Sequence, residues 1–207
     1  MGRRYQRCLV PVSSLAIALA SQPANAHLVS TRFGEFYSGL LHPLTTLTHV
    51  VPWIALALLA GAHGKSSARR NLWVFPLSVA AGVLIGAGSP GLAPLLTAVN
   101  VSSIAVLGLL LALSRPLPQP LLLLLAVACG LSHGHANAAA GLDAWSLALY
   151  TTGVGCAAYL LATLLGAAAA ALQRHGWGAV SLRAVGSWIF ASGILYGSYT
   201  LIGSGGV

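Results

Sequence analysis

The sequence predicts an all-α, polytopic membrane protein, a bundle of six transmembrane helices behind a cleavable signal peptide. Three observations carry this. The 207-residue chain has a mean hydropathy of +0.84 and only 6% charged residues, where a soluble domain carries about a quarter. Its apolar runs are too many and too long for one soluble core. Blocks such as 121–128 do not alternate in polarity, as the strands of a membrane barrel would. The net charge of +8 does not signal nucleic acid, because the basic residues stand singly or in small groups between apolar runs.

Residues 1–26 read as a secretory signal peptide. Arg3, Arg4 and Arg7 form a basic start, an apolar stretch follows, and Ala24-Asn25-Ala26 fits the small-x-small cleavage rule. A retained first helix is the alternative, but Pro23 breaks the apolar stretch before a span is complete. Cleavage leaves His27 at the mature N-terminus and residues 27–207 as the membrane domain.

Six spans follow, at 38–60, 72–87, 92–113, 117–137, 144–172 and 183–202. Pro43 suits a first helical turn, and Pro52 predicts a kink inside the first span. Gly82-x-x-x-Gly86, Gly130-x-x-x-Gly134 and Gly193-x-x-x-Gly197 offer surfaces on which two backbones can approach. Cys129 and Cys156 lie within spans and read as packing residues. A cleaved signal starts the first span outside the cytoplasm. The inner loops then hold Lys65, Arg69, Arg70, Arg115 and Arg174, and the two acids, Glu35 and Asp143, fall outside. The positive-inside rule is met at every loop, which predicts a bacterial inner-membrane protein with both mature termini in the periplasm. His63 and His175 fall in inner loops and read as solvated.

Ionisable rings in lipid are expensive and mark functional sites, and histidine is the commonest metal ligand. His42 and His49 are two turns apart, with Thr45 and Thr46 between them and Thr48 beside them. Cys129 and His133 share a face of the fourth span, and a regular helix turns His135 elsewhere, toward the outer water unless Gly134 relaxes it. Both histidine pairs come to similar depth near the outer surface, as one outward-opening site requires. Asn100, Ser102 and Ser103 in the third span reach the same level. His27, with its free amine, is a further outer ligand, so the candidate metal ligands are His27, His42, His49, His133 and His135. Imidazole suits Zn, Cu, Fe and Ni.

The segments 39–49 and 131–137 resemble the HupE/UreJ family of small membrane proteins. The family reads His-Pro-x-x-Gly-x-Asp-His in its first span and His-Gly-x-Ala-His-Gly-x-Glu in its fourth. His42, His49 and His133 match those patterns by position, and His135 occupies a variable place. Thr46 stands at the family Gly, Thr48 at the Asp, Asn137 at the second His and Ala140 at the Glu. Both intramembrane carboxylates are therefore missing, leaving imidazoles with neutral oxygens. The resemblance implies a six-helix permease for nickel or cobalt, often associated with metalloenzyme maturation.

The expected function is transport of a divalent transition metal, Ni, Co or Cu, between spans one and four. The ion is the substrate, the bilayer and metalloenzyme maturation proteins are the partners, and nucleic acid is not one. The alternatives are an accessory metallochaperone that binds without transport, and a haem protein. No acid falls within an expected span, so an enzyme is not expected.

Overall fold

A computed structural model describes residues 34–204, all helical or turn; the expected signal peptide and His27 lie outside the described residues. In chain order the helices are α1 (Gly34–Thr45), α2 (Leu47–Ala62), α3 (Lys65–Gly88), α4 (Ala93–Leu113), α5 (Gln119–Ala136), α6 (Ala144–Leu172) and α7 (Gly178–Ser204). A 3-10 turn, Pro90–Leu92, leads into α4. The five helices α3 to α7 are long and apolar enough to cross a membrane, and the bent pair α1–α2 brings the number to as many as six.

The first span departs from the single kinked helix expected. The chain turns by 77° at Thr46, between α1 and α2. Pro52, the expected kink, sits buried within α2 and does not interrupt it. Hydroxyl competition accounts for the position of the break. Thr45 Oγ1 bonds the carbonyls of Leu41 (3.0 Å) and His42 (3.2 Å), and Thr46 Oγ1 bonds that of His42 (2.8 Å). These hydroxyls satisfy α1's last carbonyls where the helical ladder ends. The two threonines therefore serve the backbone, where the sequence placed them as a hydroxyl step between two imidazoles.

α2 is apolar all round and is the centre of the bundle, touching α3, α4, α5, α6 and α7. Trp53, Ala55, Leu56, Leu59 and Ala60 are buried on its several faces. At 16 residues it is about 24 Å long, short of a hydrocarbon core of about 30 Å. α1 lies across its N-terminal end and crosses α6. A Cβ on Gly39 would overlap the carbonyl of Tyr150, and one on Gly153 would overlap that of Phe36.

Two expected glycine surfaces meet each other. Gly82 and Gly86 of α3 face the backbone of Leu131, Gly134 and His135, while Gly130 and Gly134 of α5 face Phe75, Ser78 and Val79. α4 and α7 pair similarly, through Gly108 against Ile189 and Phe190, and Gly186 against Ala112. Gly193 abuts Ala105, whereas Gly197 has only Val101 Cγ1 at 3.6 Å. Trp73, Trp145, Trp177 and Trp188 are exposed, as rings facing lipid or its interface are, while Trp53 is fully buried.

Two other boundaries moved, and one expected loop residue is engaged. The inner loop expected at 61–71 is largely helix, because α3 begins at Lys65, directly after Gly64 in a left-handed turn (φ 97°). Lys65, Arg69 and Arg70 thus stand on its first turns. α7 begins at Gly178, five residues before the expected start, and carries Arg183 inside it. His63 is engaged where solvation was expected. Its Nδ1–H donates to Leu59 O (2.8 Å), and its Nε2 accepts from the Leu117 N–H (3.0 Å), tying the end of α2 to the α4–α5 turn.

Two outcomes test this packing. Gly134→Leu drives a side chain into α3 and lowers stability by about 1–3 kcal/mol or more, whereas Gly88→Ala, with nothing within 4 Å, leaves it unchanged; thermal unfolding in detergent reads both. Asp143 caps α6 through Trp145 N (2.9 Å), Ser146 N (3.1 Å) and Ser146 Oγ (2.8 Å). The bonds from Ser146 hold its carboxyl below the ordinary aspartate range. A depressed folded value stabilises fully above the ordinary one and stops doing so as pH falls through the folded one. The melting-temperature gap between wild type and Asp143→Ala is therefore present at pH 6 and closes in strong acid.

Candidate metal site

The break at Thr46 places His49 on the first turn of α2, and the glycine contact of α3 with α5 fixes the rotation of the helix that carries His133. With Gly134 pressed on Val79 and Gly82, the preceding residue points about 100° away, toward α2 and α4. His133 is fully buried and His49 nearly so. Their Nδ1 atoms are 3.2 Å apart, and the rings meet edge to face with centroids 5.5 Å apart. His42, exposed on the last turn of α1, has its ring centroid 6.1 Å from that of His49. A straight helix would have put two turns, about 10 Å, between those residues; the bend shortens the step.

The hydrogen-bond pattern assigns the ring protons. Ser103 Oγ donates its one proton to the Asn100 carbonyl (2.6 Å), so it accepts from His133 Nε2–H (2.9 Å). His133 then offers a lone pair at Nδ1, and the proton in the Nδ1···Nδ1 contact belongs to His49. Asn100 Nδ2 donates to Ser132 O (3.2 Å), and Asn137 Nδ2 to His133 O (2.7 Å), so both asparagines brace this end of α5. Asn137, at the position of the family's second His, acts as a helix cap. Ser103 was one of three polar residues the sequence put at this depth. Its i, i+3 relation to Asn100 was the signal that singles it out, while Ser102 bonds its own helix at Ala98 O.

His135 has another neighbour. Its Nε2 donates to Ser89 O (2.9 Å) at the end of α3, and the residue is buried, so it does not face outer water. α5 stays regular at Gly134, and its tight packing on α3 turns His135 into that interface. Among the described residues, no group of three or more His, Cys, Asp or Glu is placed to hold a metal ion. The structure thus brings together His49 and His133, with His42 beside them, and holds His135 elsewhere.

One turn along α2 from His49, about 6 Å by helical rise, two aromatic rings meet. Trp53 follows His49 by four residues on α2, and it meets Phe75 edge to face at 5.4 Å. Phe75 lies against Gly130, one turn from His133 on α5. Nothing in the sequence pattern paired these rings, because they come together through the packing of two separate helices.

A geometric consequence is testable by nitrogen-15 NMR of histidine side chains. His133 appears as the Nε2–H tautomer and His49 as the Nδ1–H tautomer, and Ser103→Ala changes the His133 signal pattern. An Nδ1–H tautomer at His133 in the wild type would contradict the assignment.

The family model described as HupE / UreJ protein matches residues 15–196, most of the chain. No curated protein and no solved structure matches it. The family match covers most of the chain, and the chain belongs to the HupE/UreJ family.

Proposed function

We propose that the protein moves a divalent transition metal ion, nickel or cobalt by its family and copper by its ligand chemistry, through a site at His49 and His133. The observation that carries this is the Nδ1···Nδ1 distance of 3.2 Å. Two nitrogens on one ion at about 2.0–2.1 Å lie about 2.9 Å apart at a right angle and about 3.3 Å apart at the tetrahedral angle. An ion taking the place of the shared proton needs little movement of either ring. The proton leaves Nδ1 of His49, and that ring stays neutral by carrying one on Nε2.

A pair of protein ligands suits cargo better than a resident ion. Structural sites close around a metal with four ligands, whereas two imidazoles with His42 one step outward allow stepwise exchange. Protonation of an imidazole releases the ion. Pro52 has no N–H for the carbonyl of Thr48, which leaves an oxygen at the break, next to His49. The Trp53–Phe75 contact closes the inward route, so passage requires those rings to part. The haem alternative fits poorly. Axial imidazole nitrogens on opposite faces of one iron stand about 4 Å apart, twice a metal–nitrogen bond of about 2 Å.

The direct test is metal accumulation in cells. His49→Ala and His133→Ala each abolish uptake at normal protein level, and Trp53→Ala keeps binding but alters flux. Unchanged uptake in both histidine variants rejects the site. Binding to purified protein without movement into proteoliposomes, over Ni, Co, Cu and Zn, gives the accessory metallochaperone reading.

A further inference from the structure

At the basic end of the bundle, a groove of about 370 Å³ runs between α3 and α6. Lys65 and Arg69 of α3 and Arg174, just past α6, stand around it, and all three are exposed. Leu72, Ala162 and Ala167 are among the apolar residues that form its wall. From Arg174 back to Ala162 the wall follows α6 for about 18 Å.

Among the described residues, no acidic side chain stands beside the charges of this groove. The only two acids are Glu35 and Asp143. Asp143 precedes α6 at its opposite end, and Glu35 lies on α1, which crosses α6 near Tyr150 and Gly153. No side chain caps the N-terminus of α3, and its first turn holds no acid, so the positive end of that helix adds to the three cations. A soluble anion would satisfy the charges but not the apolar wall. An acyl chain would cover the wall but not the charges.

The geometry points to a binding site for an anionic phospholipid, its phosphate among Lys65, Arg69 and Arg174 and one acyl chain along α6 in the groove. Basic pockets between membrane helices hold such headgroups, and each cation near an anionic lipid contributes about 1 kcal/mol, roughly fivefold in affinity. The site is at the opposite end of the bundle from His49 and His133 and does not depend on metal.

The test uses delipidated full-length protein in detergent, titrated with phosphatidylglycerol or with phosphatidylcholine of the same chains, and read by native mass spectrometry. Phosphatidylglycerol binds preferentially. The combined Lys65→Gln, Arg69→Gln, Arg174→Gln variant weakens it by roughly fivefold per cation removed. Ala167→Phe, which keeps every charge and fills the groove, also weakens it and serves if the triple variant does not fold. Arg70→Gln, outside the groove, binds as wild type. Equal binding of both lipids, wild-type binding by Ala167→Phe, or displacement of phosphatidylglycerol by millimolar inorganic phosphate would overturn the proposal.

Discussion

The glycine-to-glycine contact between α3 and α5 is the constraint on which the rest of the site depends. Gly82 and Gly86 on one helix, with Gly130 and Gly134 on the other, bring two backbones together where any larger residue would hold them apart. In an apolar medium, such packing is the main force that brings helices together. It fixes the rotation of α5, which decides that His133 looks at α2 while His135 is committed to the end of α3. It also sets the Phe75 backbone against Gly130, and the Phe75 ring meets Trp53 edge to face.

The second constraint is satisfaction of the backbone at the break. Broken helices are tolerated at membrane depth only where protein or a polar cavity surrounds them. Here α1 is pressed onto α6 through Gly39 and Gly153, and the hydroxyls of Thr45 and Thr46 take up the loose carbonyls. Thr46 stands where the family pattern has Gly, so this chain turns the corner with a hydrogen-bonding side chain instead of a flexible backbone.

Electrostatics then shape what the site can hold. With the two family carboxylates replaced by Thr48 and Ala140, the fixed negative potential comes from helix ends. His42 is in the last turn of α1 and His133 in the last turn of α5, each near roughly half a negative charge of a helix dipole. His49, in the first turn of α2, faces the opposite sign, which weakens the hold on a cation. Under the proposed function, these helix ends draw an ion to the two C-terminal turns and hold it loosely between them.

Sequence by itself determined the membrane class, the number of apolar segments and the residues of unusual cost. These follow from composition and from local period, since a helix closes its own hydrogen bonds within four residues. The ends of the α6 span, the packing role of Gly82, Gly86, Gly130 and Gly134, and the candidacy of His49 and His133 were legible this way. The break at Thr46 was not, because Pro52 gives the stronger local signal and the turn depends on α6 lying across α1. Only the tertiary structure decided that His49 meets His133, that His63 locks a turn and that three cations ring an apolar groove. Those contacts join residues far apart in the chain, through helix rotations that no single helix specifies.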